Sequence, residues 1–177
     1  MIALVFNLNH LKPTNDSWRV DETYIKVKGQ WMYLYRAVDS KGNTIDFYLS
    51  TSRDHKAAKR FFKKALRSFH ISIPRVITVG KNPAYPLAME EWKKEKKMPV
   101  GIQIRQVKYL NNIVEQDHRF IEKRVRTMLG FKSFQTAKAM IPGIEAIHMV
   151  KKGQLVLQDQ SAHNQVKIIH QLVGIAA

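Results

Sequence analysis

Apolar and polar positions alternate with a period of two through residues 18–50, and a helical period takes over after residue 54. Residues 18–27, Trp-Arg-Val-Asp-Glu-Thr-Tyr-Ile-Lys-Val, are rich in β-branched and aromatic side chains and hold no Gly or Pro, which predicts a strand. Lys28-Gly29-Gln30 follows as a short hairpin loop. A second strand over 31–38 sets Trp31, Tyr33 and Tyr35 on one face and Met32, Leu34 and Val38 on the other. Asp39-Ser40-Lys41-Gly42-Asn43 reads as another turn, and 44–50 as a third strand. Three strands joined by tight turns make an antiparallel meander.

Over 54–69 the period becomes helical. Ala58, Phe61, Phe62, Ala65, Leu66 and Phe69 share one face, Lys59, Arg60, Lys63, Lys64 and Arg67 lie elsewhere, and Asp54 suits the N-terminus. A β-branched strand at 75–79 ends in the turn Gly80-Lys81-Asn82-Pro83. A helix at about 84–97 offers Leu87, Ala88 and Trp92 as apolar contacts, with Lys93, Lys94, Lys96 and Lys97 as a solvated face. Residues 101–105 alternate as a last strand. A long helix runs from Asn111 or Asn112 to about 129, with Ile113, Phe120, Ile121, Val125 and Met128 apolar, and Glu115, His118, Arg119, Glu122 and Arg126 on a different side. Residues 133–150 predict a helix broken or kinked at Pro142-Gly143, and 160–173 a terminal helix. A meander followed by alternating β and α elements predicts an α/β fold of ribonuclease-H-like type, a five-stranded mixed sheet flanked by helices. That arrangement sets the middle of the first strand beside the end of the fourth, with a later helix crossing nearby.

Charge narrows the function. The chain has 177 residues, 45% of them hydrophobic, enough for one domain with a real core. Its 30 Lys and Arg against 14 Asp and Glu leave a formal charge of +16, which points to a polyanionic partner, nucleic acid ahead of membrane. Without cysteine there is neither a disulfide framework nor a thiolate zinc site, in keeping with a reducing cytoplasm. No apolar run approaches the length of a membrane span. His55, His70, His148, His163 and His170 show no metal-ligand spacing.

Against that background the adjacent carboxylates Asp21 and Glu22 stand out. Burying either in an apolar strand is costly without compensation, and only one of the two can face a given site, which leaves the other as a solvated strand residue. A second acidic stretch, Tyr109-Leu110-Asn111-Asn112-Ile113-Val114-Glu115-Gln116-Asp117-His118-Arg119, lies far downstream. Carboxylates from separate elements suit magnesium, and paired hard cations suit phosphodiester chemistry.

The strings at 18–27, at 33–39 (Tyr-Leu-Tyr-Arg-Ala-Val-Asp) and at 109–119 resemble bacterial insertion-sequence transposases of the IS-six family. The likeness continues through Leu-Gly-Phe-Lys-Ser at 129–133, Gly-Ile-Glu at 143–145 and Lys-Lys-Gly-Gln at 151–154. The resemblance implies a DDE catalytic triad on a ribonuclease-H-like, integrase-type core, cutting and joining DNA strands with Mg2+ or Mn2+. It carries the first catalytic Asp to Asp21 and the Glu to Glu115, both as metal ligands. The second Asp belongs 35 positions before Glu115, where this chain has Gly80 between matching flanks, Thr78-Val79 and Lys81-Asn82-Pro83-Ala84-Tyr85. Lys108, Tyr109, His118, Arg119 and Arg126 are the implied DNA contacts, with helix-surface solvation as the plainer reading of His118 and Arg119.

The resemblance also implies a helix-turn-helix segment ahead of the catalytic domain, which is not seen here, so the expectation is an N-terminally truncated, catalytically impaired copy. Its expected layout is a lead-in over 1–17, the catalytic domain over 18–153 and a helical tail over 154–177. The expected partners are DNA, bound without sequence preference at element ends and targets, and a second copy or an intact transposase, in the bacterial cytoplasm and on the nucleoid. The alternative is a non-catalytic DNA-binding protein that competes with or regulates an intact transposase.

Overall fold

In the computed structural model, residues 11–68, 72–107, 112–156 and 166 are described. Three strands, β1 (Ser17–Val27), β2 (Gln30–Asp39) and β3 (Thr44–Ser50), form the expected meander. Helix α1 (His55–Ala65), β4 (Val76–Val79), α2 (Ala84–Lys94), β5 (Gln103–Gln106), α3 (Asn112–Thr127) and α4 (Phe134–Lys151) follow. The sheet order is β3-β2-β1-β4-β5, with β4 parallel to both β1 and β5, so β1 lies in the middle of a mixed sheet. This is the ribonuclease-H-like arrangement. Among the described residues no helix is long and apolar enough to cross a membrane.

The period of two in β1 assigns its side chains to two different cores. Trp18 and Val20 join Tyr35, Phe61, Phe62, Ile77, Val79, Tyr85 and Trp92 beneath α1 and α2. Ile25 and Val27 join Leu34, Ile121, Val125 and Ile141 beneath α3 and α4. Helix α1 starts where the Asp54 side chain accepts a hydrogen bond from the Ala57 amide at 2.7 Å, and buries Ala57, Ala58, Phe61, Phe62 and Ala65. Phe61→Ala should therefore cost about 3–5 kcal/mol by denaturant unfolding, while Lys63→Ala should stay within about 0.5 kcal/mol; equal costs would mean the wrong face was chosen. Phe69 lies outside the described residues, as do His70, His163, His170 and, apart from residue 166, the helix expected over 160–173.

Three expectations are corrected. Leu87 is 52% exposed, because α2 turns Ala84, Tyr85, Ala88, Met89 and Trp92 inward and Leu87 falls off that face. Met128 is also exposed, lying just past the end of α3. Helix α4 is continuous through Pro142, so the expected break is absent; Ala137 and Ile141 before the proline and Glu145, Ala146 and Met149 after it are buried. The Leu129-Gly130-Phe131 stretch is a structural clasp. A Cβ on Gly130, where φ is +81°, would meet the Lys26 carbonyl oxygen at 2.8 Å, and Phe131 exchanges backbone hydrogen bonds with Lys26 and Lys28.

Candidate catalytic carboxylate site

The parallel register aligns Arg19 with Thr78 and Val20 with Val79, so Asp21 and Gly80 are the next residues along adjacent strands. Val20 and Val79 both pack under α1 and α2. With side chains alternating, Asp21 and any side chain at position 80 face the other way, toward α3. The same face carries Thr23, whose hydroxyl donates to Glu122 of α3 at 2.5 Å. Gly80 follows β4 directly and is not among the described glycines with positive φ, so its backbone would admit a side chain.

Glu115 occupies the first turn of α3 with its side chain exposed. Its charge acts on Asp21: burial pushes the Asp21 carboxyl up to about 7, Glu22 and Glu115 add to the shift, and the Glu22 amide and Arg53 oppose it. Asp21 and Glu115 are thus two carboxylates from distant parts of the chain sharing one field. Among the described residues, no three His, Cys, Asp or Glu side chains form a group fit to hold a metal ion. Because the folded Asp21 holds its proton more tightly than the unfolded chain does, metal-free protein should lose stability as pH rises from about 4 to about 7. Asp21→Asn abolishes that titration. With chelator present it should gain on the parent across this interval and keep a level advantage above pH 7; parallel melting-versus-pH curves would contradict the assignment.

Glu22 is not the solvated residue expected of one member of the pair. It is buried on the opposite face, where Arg53 meets its carboxylate at 2.5 Å, Asn82 donates at 3.1 Å and the Tyr85 hydroxyl donates as well. Burial and the Glu22 charge push the Tyr85 phenol well above its ordinary value, so it remains a donor. Asn82 also accepts from the Ala84 amide at the start of α2 at 2.9 Å, so the turn after position 80 is tied to β1 through one side chain.

Arg36 lies directly across β2 from Asp21 and is wholly buried. It forks onto Glu145 of α4, Nε to Oε1 at 2.7 Å and Nη2 to Oε2 at 2.8 Å, and meets Asp117 of α3 at 2.6 Å. Lys152 completes the cluster, reaching Asp117 at 3.0 Å, the Gly42 carbonyl at 2.8 Å and Thr44 at 2.6 Å. Gln154 bonds both backbone groups of Thr44. These contacts account for the Gly-Ile-Glu and Lys-Lys-Gly-Gln strings as fasteners of α4 to the sheet. Asp117, which sequence reading passed over, is held below the ordinary carboxylate range: its own burial raises it, but Arg36, Lys152 and His148 outweigh that.

The surface position expected of His118 is corrected. It is buried with Nδ1 3.4 Å from Arg36, and burial together with the Arg36 charge pushes it down to about 3, so it is a neutral interior residue. His148, also buried, stacks on Phe120 at 4.2 Å. Arg119 and Arg126 are exposed on α3. Lys108 and Tyr109 lie outside the described residues.

A family profile described as a DDE domain matches residues 15–154. The transposase for the insertion sequence-like element IS431mec of Staphylococcus aureus (strain Mu50) is 40% identical over 142 residues, 80% of this chain and 61% of the relative. The transposase for insertion sequence element IS257 in transposon Tn4003, also from Staphylococcus aureus, matches to the same extent. The chain thus spans about 61% of the length of these relatives. Among solved structures, the HTLV-2 integrase catalytic core domain in complex with magnesium (trimeric form) is similar at a TM-score of 0.55 and 17% identity, covering 89% of this chain and 98% of that one. A chain of the simian T-cell lymphotropic virus intasome in complex with PP2A regulatory subunit B56 gamma gives 0.56 and 15%, covering 90% and 55%. These likenesses identify the fold as that of an integrase catalytic core, and with the family profile spanning most of the sequence, the chain belongs to the DDE family of insertion-sequence transposases, in its IS-six branch.

Proposed function

We propose that this chain is the DNA-processing domain of an insertion-sequence transposase, working through Asp21 and Glu115, and that its strand cleavage and transfer are impaired because Gly80 supplies no third carboxylate. The observation that carries the reading is the adjacency of Asp21 and position 80 on the sheet face toward α3, where Glu115 acts on Asp21. Two carboxylates suit one hard cation, Mg2+ or Mn2+, that keeps several waters, and the raised proton affinity of Asp21 reflects a negative field that such a cation would relieve. The set is one donor short of a two-ion site. When bound, such ions activate the attacking oxygen and stabilise the leaving one. The protein's own part is positioning: β1 fixes Asp21, α3 presents Glu115, and the exposed Arg119 and Arg126, with Lys108 and Tyr109 at the approach to the helix, hold the DNA backbone.

With a formal charge of +16, the chain should bind duplex DNA chiefly through phosphates, which carry no sequence information. The log of affinity should fall with log salt at about −0.9 per phosphate contacted. Selectivity above about tenfold for an element end over scrambled DNA would contradict this. A second reading, a non-catalytic DNA-binding protein that competes with or regulates an intact transposase, is favoured by the same Gly80 alongside the formal charge of +16. A metal-dependent strand-transfer assay on the purified chain separates the two readings, since only the first allows residual product.

A further inference from the structure

Strand β4 pairs with β1 only from Ser17 to Val20 and Phe131 bridges to Val27, so among the described residues the stretch of β1 between them has no strand paired on that side. Along this edge a cleft of about 470 Å³ opens between the β1–β2 hairpin and the end of α3. Tyr24 and Trp31 line it and are 47% and 60% exposed, an unusual outlay of aromatic surface. Their rings meet edge to face at 6.4 Å. Each carries a cation over it, Lys26 at 5.7 Å from the Trp31 centroid and Arg53 at 5.9 Å from that of Tyr24. Arg126 lines the cleft from α3, and Leu129, 95% exposed, adds an apolar wall. The carboxylate in the lining, Glu122, is occupied by the Thr23 hydroxyl.

Exposed rings with cations beside them are what binds single-stranded nucleic acid: the rings stack on bases and the cations follow the phosphates. The volume is in the range of small-ligand sites and accommodates a base. Tyr24 stands three residues along β1 from Asp21, about 10 Å at strand rise, and on the opposite face; Thr23, which also lines the cleft, shares the Asp21 face, so a strand held at the carboxylates reaches the rings by passing round the sheet edge. We propose that this cleft takes an unstacked base of single-stranded DNA across the sheet edge from the carboxylate site, with Trp31 as the stacking platform. The inference rests on the transposase reading and adds a ligand class and a residue to it.

The test measures the affinity of the full chain for oligodeoxythymidine and for a blunt duplex of equal length, at one salt concentration. Trp31→Ala should weaken the single strand about tenfold and the duplex less than twofold, and Trp31→Phe should restore most of the loss. The salt slope should not change, since no charge is removed. Trp18 and Trp92 are buried, so quenching by the single strand should be read from Trp31 and vanish in Trp31→Ala. An equal loss on both probes, or a single-strand affinity within twofold of the parent, overturns the inference while leaving the transposase reading standing. Parent protein that binds neither probe overturns both. Trp31 emission that shifts with protein concentration in the absence of DNA shows that a second copy covers the cleft, which also overturns it.

Discussion

Arg36→Met should lower the unfolding free energy by about 3–5 kcal/mol, the range for breaking a buried pair from one side. The substitution leaves Glu145, with no exposed surface, facing Asp117 without the guanidinium between them. For a domain of this size the melting temperature should drop by about 6–20 °C. Burial works against the Arg36 charge, but Glu145 and Asp117 outweigh it, so the loss should persist throughout the neutral range. Arg36→Met combined with Glu145→Met should recover part of it, because the uncompensated buried charge is then removed. A single mutant within 1 kcal/mol of the parent would show that the fork onto Glu145 is not formed in solution. Since Arg36 lies opposite Asp21 and binds α3 two residues beyond Glu115, the same mutant should also loosen the geometry between the two carboxylates.

Gly80→Asp should convert a weak cation site into a stronger one. The new carboxylate would face α3 beside Asp21, and the backbone at 80 already has a φ that a side chain tolerates. Without metal the third negative charge should destabilise the fold, since Asp21 already holds its proton up to about 7 under the fields of Glu22 and Glu115. With Mn2+ that penalty should reverse, because the cation binds the assembled site and not the unfolded chain. Loss of an outer partner at a metal site costs roughly 10–100-fold, so restoring a direct ligand should gain at least that in Mn2+ affinity. Calorimetric titration of parent and mutant checks it. Equal affinities, or a mutant whose melting ignores Mn2+, would contradict the placement of residue 80.

Much of this was legible in the sequence because it depends on local period. The meander, both two-sided cores and the adjacency of Asp21 to the end of β4 follow from alternation and element order, and the positions of Asp21 and Gly80 bear that out. Glu22 was misjudged because its compensation comes from Arg53, Asn82 and Tyr85, which no spacing links to β1. Arg36 could have been found. The turn at Lys28-Gly29, with φ of 48° and 78°, has two residues where the sequence reading allowed three, and with that register the seventh residue on each side sets Arg36 against Asp21. The exposed face assigned to His118 failed because the residues of α3 nearest the sheet include Asp117 and His118, drawn inward by Arg36. The break expected at Pro142 is absent because helix-breaking propensity says nothing of the packing on either side of it.

The proposed reaction centre of Asp21, position 80 and Glu115, with its middle donor missing, is checked by cleavage of pre-nicked, end-labelled element DNA with Mn2+, comparing the parent, Gly80→Asp, and Gly80→Asp combined with Asp21→Asn. Gly80→Asp should give Mn2+-dependent product at least tenfold above the parent, and the double mutant should return to the parent level. A parent that cleaves as well as Gly80→Asp, or a double mutant that keeps the activity, would contradict it.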